Sequence, residues 1–143
     1  MPLDFDSIRD AGTIISERDV PYRRFEADFV DPKTQERLLA YAQMSKEGRG
    51  IGKILTSNSV PGRAFHIIDN YGDKGIYPST IFTSKQYRKR GYQEALLHLI
   101  MRLAEAEGRT FVEPYKSFKT GDGNMFAERM REKHDDSNIG VME

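Results

Sequence analysis

The chain has 143 residues, a length that suits one domain burying about two thirds of its unfolded surface. Lysine plus arginine balance aspartate plus glutamate at 22 each, so no global field draws it to nucleic acid or an anionic bilayer, and any anion site must be local. Cysteine is absent, which excludes disulfides, thiolate nucleophiles and cysteine-held metals and fits a reducing compartment.

Residues 1–9 are acidic and have no long apolar core, so they read as neither a signal peptide nor a membrane anchor, and no segment approaches the roughly 20 apolar residues of a membrane span. Ile8, Ile14 and Ile15 stand isolated in residues 1–20, which are expected either to dock as a short helix or to stay loose. Residues 24–29 alternate polar with apolar, the period of a half-buried strand. Asp31 followed by Pro32 is expected to open a helix with Leu38, Leu39, Tyr41 and Ala42 on its buried side and Gly48 and Gly50 at its end. Residues 51–57 and 64–69 read as a hairpin turning near Pro61 and Gly62, with Phe65 and Ile67 on one face. A turn over 70–75 leads to a third strand over 76–83.

Next comes a basic turn, Tyr87-Arg88-Lys89-Arg90-Gly91, running straight into a helix over 92–107. Leu96, Leu99, Ile100 and Leu103 share one stripe of it, flanked by Leu97, Met101 and Ala104; Glu94, His98, Arg102 and Glu105 lie opposite. The first turn of a helix offers N–H groups without intrahelical partners and the positive end of the peptide dipole, so such a turn suits a phosphate. The alternative is a solvated turn in which Gly91 only relieves backbone strain. Gly108 ends the helix and residues 110–115 resume as a strand, an order that reads as a crossover between parallel strands. Glycines at 121 and 123 mark a turn before a last helix over 124–133. With no repeats or low-complexity tract, one α/β (α+β) domain over 1–143 is expected.

Other patterns carry less chemistry. Glycines 48, 50 and 52 fail the spacing of a P-loop and of a dinucleotide fingerprint, and residues 69–75 fail the calcium-loop pattern at Tyr71 and Lys74. His66, His98 and His134 are too dispersed for a metal motif, so no metal is expected. Arg23 and Arg24 beside Tyr22 and Phe25, like the basic turn with Tyr87 and Tyr92, mix stacking and phosphate-binding side chains, but neutral net charge argues against a nucleic-acid partner.

The run from Ile81-Phe82-Thr83 through Tyr87-Arg88-Lys89-Arg90-Gly91-Tyr92-Gln93-Glu94-Ala95-Leu96-Leu97 to Gly108 resembles motif A of the GNAT superfamily of acetyl-coenzyme-A-dependent N-acetyltransferases. Arg88 and Gly91 fall on defining positions of its Arg/Gln-x-x-Gly-x-Gly/Ala turn. Asn124-Met125-Phe126-Ala127 is similar to the family's asparagine motif, and the resemblance covers roughly 76–131. It implies a central mixed, mostly antiparallel sheet flanked by helices, with a splayed pair of strands. It implies acetyl-CoA as co-substrate, its pyrophosphate cradled by the backbone of Arg88, Lys89, Arg90, Gly91, Tyr92 and Gln93, its pantetheine paired with Ile81, Phe82 and Thr83, and Asn124 near the pantetheine arm. The Ile81 to Thr83 backbone would also polarise the thioester carbonyl for direct attack by an amine of a protein or small molecule. His66, Asp69 and Glu113 are the candidate bases, none singled out by its surroundings in the sequence. Three departures stand beside the match: Gln93 replaces a glycine or alanine, no tyrosine follows Tyr115 where the family's thiolate acid would fall near Arg131, and residues 138–142 leave room for one terminal strand at most. The rival expectation is therefore a non-catalytic GNAT-like fold serving as an interaction or assembly component, for instance of a phage particle. Either protein is expected to be cytoplasmic or an intracellular phage component, with a homo-oligomer or protein partner left open.

Overall fold

The computed structural model describes residues 2–55, 62–114 and 139–142, with 113–114 and 139–142 described by backbone alone. Eight strands form one sheet in which spatial order equals chain order: β1 (Arg9–Ile15), β2 (Pro21–Val30), β3 (Arg37–Met44), β4 (Gly50–Leu55), β5 (Ala64–Tyr71), β6 (Gly75–Thr83), β7 (Thr110–Pro114) and β8 (Ile139–Met142). Neighbours from β1 to β6 are antiparallel, whereas β6–β7 and β7–β8 are parallel. The expected mixed, mostly antiparallel sheet is present, as are the β4–β5 hairpin and the crossover from β6 to β7. The flanking helices are not a set: α1 (Tyr92–Ala106) is the one α-helix among the described residues. The helix expected over 124–133, and Asn124 with it, lie outside the described residues.

The helix expected after Asp31 is strand β3. Leu38, Ala40, Ala42 and Met44 are buried while Leu39, Tyr41 and Gln43 are partly exposed, the alternation of a sheet with one covered face. Leu38, Leu39 and Ala42 also satisfy a helical spacing, and pairing with β2 on one side and β4 on the other decides between the two periods. Asp31 does cap free N–H groups, accepting from Lys33 and Thr34 at 2.8 and 3.1 Å, but the turn stops when Gln35 takes φ 62° and the chain doubles back. The N-terminal residues dock mainly by strand pairing. Leu3 bridges Phe29, residues Phe5–Ser7 make a 3₁₀ turn, and β1 pairs with β2 through a bulge between Asp10 and Gly12.

Helix α1 covers one face of the sheet. Ala95, Leu96, Leu97, Leu99, Ile100, Leu103 and Ala104 are buried against Ala27, Phe29, Ala40, Ala42, Ile54, Ala64 and Ile68 from β2 to β5. Gly52 lets the helix come close, since a Cβ there would stand 3.3 Å from Ile100 Cδ1 and 3.4 Å from Leu96 Cδ2. The helix stops at Gly108, left-handed at φ 66°, where the Arg109 N–H turns back to the Ala104 carbonyl at 2.8 Å. It begins at Gly91, left-handed at φ 83° and without a side-chain cap.

Candidate functional site at the β6–α1–β7 junction

Strands β6 and β7 pair at Gly75 with Thr110 and Ile76 with Phe111, and the recorded ladder ends there. From Tyr77 to Thr83, β6 has no partner on that side among the described residues, while β7 is paired along its other side to β8, from Phe111 with Ile139 to Pro114 with Met142. Two residues that sequence reasoning passed over account for the parting. Pro78 has no N–H for a ladder, and Ser79 is the extra residue of a bulge, since Ile67 and Ile68 of β5 face Thr80 and Pro78. A proline inside a strand pattern is the signal that marks such a place. Beyond the bulge lie the three residues expected to meet pantetheine: Ile81 packs on the core, Phe82 stacks on Phe65 of β5 at 5.2 Å on the outer face, and Thr83 is buried.

The basic turn follows, and its cations divide. Arg88 donates from Nε to the Thr83 carbonyl at 3.1 Å, and Arg90 donates to Asp31 Oδ2 at 3.1 Å. Lys89 is exposed at φ 63° and has no side-chain partner among the described residues. The first intrahelical bond runs from Ala95 N–H to the Gly91 carbonyl at 3.0 Å, so the N–H groups of Tyr92 and Gln93 have no acceptor within the helix. That arrangement fits an anion. Gly91 offers no open cradle, however: a Cβ on it would stand 3.0 Å from Pro2 Cγ, so the absent side chain makes room for Pro2.

Beneath the turn is a buried charge cluster that the sequence did not announce. Asp31 is fully buried; its Oδ2 accepts from the Tyr92 hydroxyl at 2.5 Å and from Arg90, with Arg63 Nη1 3.8 Å away. Arg63 also donates to the Tyr92 oxygen at 3.1 Å and to Glu36 at 2.7 Å, its guanidinium 4.4 Å from the Tyr87 ring centroid. Burial alone would raise the Asp31 pKa, but the Tyr92 hydroxyl, the Lys33 and Thr34 N–H groups and Arg90 hold it down to about 2. Burial and the facing carboxylate push the Tyr92 hydroxyl up to about 12. Burial also opposes the charge on Arg63, but its bonds to Glu36 and Tyr92 raise its pKa on balance. Every charge here is paired, which is the condition for burying it without a large penalty. The cluster clamps the start of α1 to the β2–β3 turn, and Arg90 and Tyr92 hold the turn from within.

The candidate bases stand apart from one another. His66 is fully buried on β5 opposite Ile81, and burial brings its pKa down to about 3, so the imidazole is neutral. Asp69 lies further along β5 and pairs with Arg49 at 3.3 Å, beside an open concavity of about 530 Å³ lined by residues that include Tyr22, Gln43, Ile51 and Ile67 and none of β6, β7 or α1. The Glu113 side chain lies outside the described residues. His98, on α1, meets Phe5 edge-on at 5.0 Å and lies 3.9 Å from Glu94.

No protein-family profile, curated protein or solved structure matches this chain. Among the described residues no helix is long and apolar enough to cross a membrane, and no three or more His, Cys, Asp or Glu side chains gather as metal ligands.

Proposed function

We propose that the chain is an acetyl-coenzyme-A-dependent N-acetyltransferase of GNAT-like architecture, acting in the cytoplasm on an amine of a protein or small molecule. The observation that carries this reading is the unit made by β6, the Gly91 turn, α1 and β7. It is a strand that parts from its parallel neighbour after Ile76 and feeds a helix whose first N–H groups, those of Tyr92 and Gln93, open beside it. In the reaction a neutral amine attacks the thioester carbon, the C–N bond forms, the C–S bond breaks, and the thiolate leaves to take a proton. Residues Ile81 to Thr83 offer backbone groups along the parted edge of β6. Lys89 and the N–H groups of Tyr92 and Gln93 offer the anion contacts.

A second reading has its own support. Arg88 and Arg90 are engaged within the chain and Pro2 fills the space beside Gly91, which suits a GNAT-like fold that no longer binds a nucleotide and serves as an assembly component.

Thermal-shift titration with acetyl-CoA, CoA and ADP separates the two. A ligand that binds only the folded state at a hundred times its Kd stabilises by about 2.7 kcal/mol, on the order of ten degrees in Tm. Stabilisation by both coenzyme forms, weakened at least tenfold in affinity by Lys89→Glu, is the expected result. Lys89 is the residue to change because it is exposed and holds nothing else in place, whereas a side chain at Gly91 would press on Pro2. No shift at millimolar ligand would reject the enzyme and leave the assembly component.

A further inference from the structure

His66 and Thr83 are the two described residues of the sheet's α1-facing side whose polar side-chain atoms are buried without a hydrogen-bond partner: both ring nitrogens of His66, at 0% exposure, and Oγ1 of Thr83, at 4%. Such groups are rare in folded proteins, because a buried polar atom left unpaired has lost its hydration without recovering a bond. Their relative placement points to a common remedy. On β5 and β6 the register sets His66 opposite Ile81 and Ala64 opposite Thr83, so His66 and Thr83 are diagonal neighbours on one face. The two side chains make no direct bond, and diagonal Cβ atoms roughly 7 Å apart suit two bonds of about 2.8 Å through one intervening oxygen.

The immediate register neighbours of the pair offer no other partner. On this face of β4, β5 and β6 they are Gly52, Ile54, Ala64, Ile68 and Ile81, and above Gly52, directly across from His66, stand Leu96 and Ile100 of α1. None of these side chains carries a donor, an acceptor or a charge. We propose that His66 and Thr83 share a bound water molecule, enclosed between β5, β6 and α1, that supplies the hydrogen bonds neither side chain finds in the protein. The water tethers the parted strand β6, at the end beyond its bulge, to its neighbour β5 through side chains as well as through the backbone ladder.

The experiment has two arms. In the wild-type protein, rotating-frame Overhauser spectra should show cross-peaks from water to the His66 ring protons that persist in an amide-protected, slowly exchanging core. Urea denaturation of His66→Leu, Thr83→Val and the double variant forms a thermodynamic cycle. Each single change orphans what remains and should lower the folding equilibrium constant about tenfold, whereas the double change makes the site uniformly apolar and should cost no more than either single, a coupling of at least about tenfold. Absence of the water cross-peaks in the wild type overturns the proposal even where a variant fails to fold. Single effects that multiply independently in the double variant overturn it as well.

Discussion

Lowering the pH from 7.5 to 5.0 should cost this protein about 2 kcal/mol of stability through His66 alone. The folded-state pKa of about 3 lies below the unfolded value of 6.5, so the unfolded chain takes up a proton that the folded protein refuses. The contribution is complete above pH 6.5 and is lost progressively as the pH falls from 6.5 toward 3. At pH 5.0 the gap is roughly 1.5 units at 1.36 kcal/mol each, which gives about 2 kcal/mol. Burial is the one cause of the lowered pKa and no charged group among the described residues acts on the ring, so nothing there offsets the loss. The assay is urea denaturation of the wild type and His66→Leu at both pH values. The acid penalty of the variant should be smaller by about 2 kcal/mol, because His98, His134 and the carboxylates are common to both proteins. An equal penalty in the two would refute the reasoning and mean that His66 finds a counter-charge or opens to solvent.

Asp31 governs a later stage: its folded pKa near 2 lies below the unfolded 3.8, so about 2 kcal/mol present above pH 3.8 disappears as the pH falls through 2, and Asp31→Asn should flatten that part of an acid-unfolding curve. Tyr92→Phe deletes the hydroxyl shared by Asp31 and Arg63 and should lower stability by about 1–3 kcal/mol in urea. Ala40→Leu should destabilise by about 1–3 kcal/mol through overpacking beneath α1, and Leu39→Thr on the outer face by less than about 1. A reversed order would restore a helix over 38–44. Gly91→Ala, at φ 83° and against Pro2, should cost about 1–2 kcal/mol, read as a fall in Tm.

Where one period had no competitor, the sequence was readable. Helix α1 carries a wide apolar arc and glycines at both ends, and strands 64–71 and 75–83 alternate between turns rich in glycine, so their existence and order could be read directly. Residues 37–44 obey two periods at once, and only the neighbouring strands break the tie. The family resemblance carries the expectation that residues 81–83 splay from 111–113, whereas the β6–β7 ladder sets Phe111 beside Ile76 and stops there, next to Pro78 and the Ser79 bulge that sequence reasoning overlooked. The roles of Arg90 and Tyr92 could not be read at all, because Asp31 and Arg63 meet them across about 60 and 30 positions of chain and no local pattern encodes such a meeting. A buried Asp–Arg pair leaves no trace in periodicity, and a basic turn looks the same whether its charges face solvent or a carboxylate.

A sheet whose spatial order is its chain order has a consequence for synthesis. As the ribosome delivers the chain from the N-terminus, β1 to β6 can each pair with the strand just made, so most of the ladder can assemble before residue 92 has emerged. The apolar side of that nascent sheet, with Phe29, Ala40, Ala42, Ile54 and Ile68, then waits uncovered until the helix that shields it has emerged. A chain halted with residue 83 outside the exit tunnel and residues 92–106 still within it would therefore display a greasy, half-finished sheet, the stage at which a chaperone would be most needed.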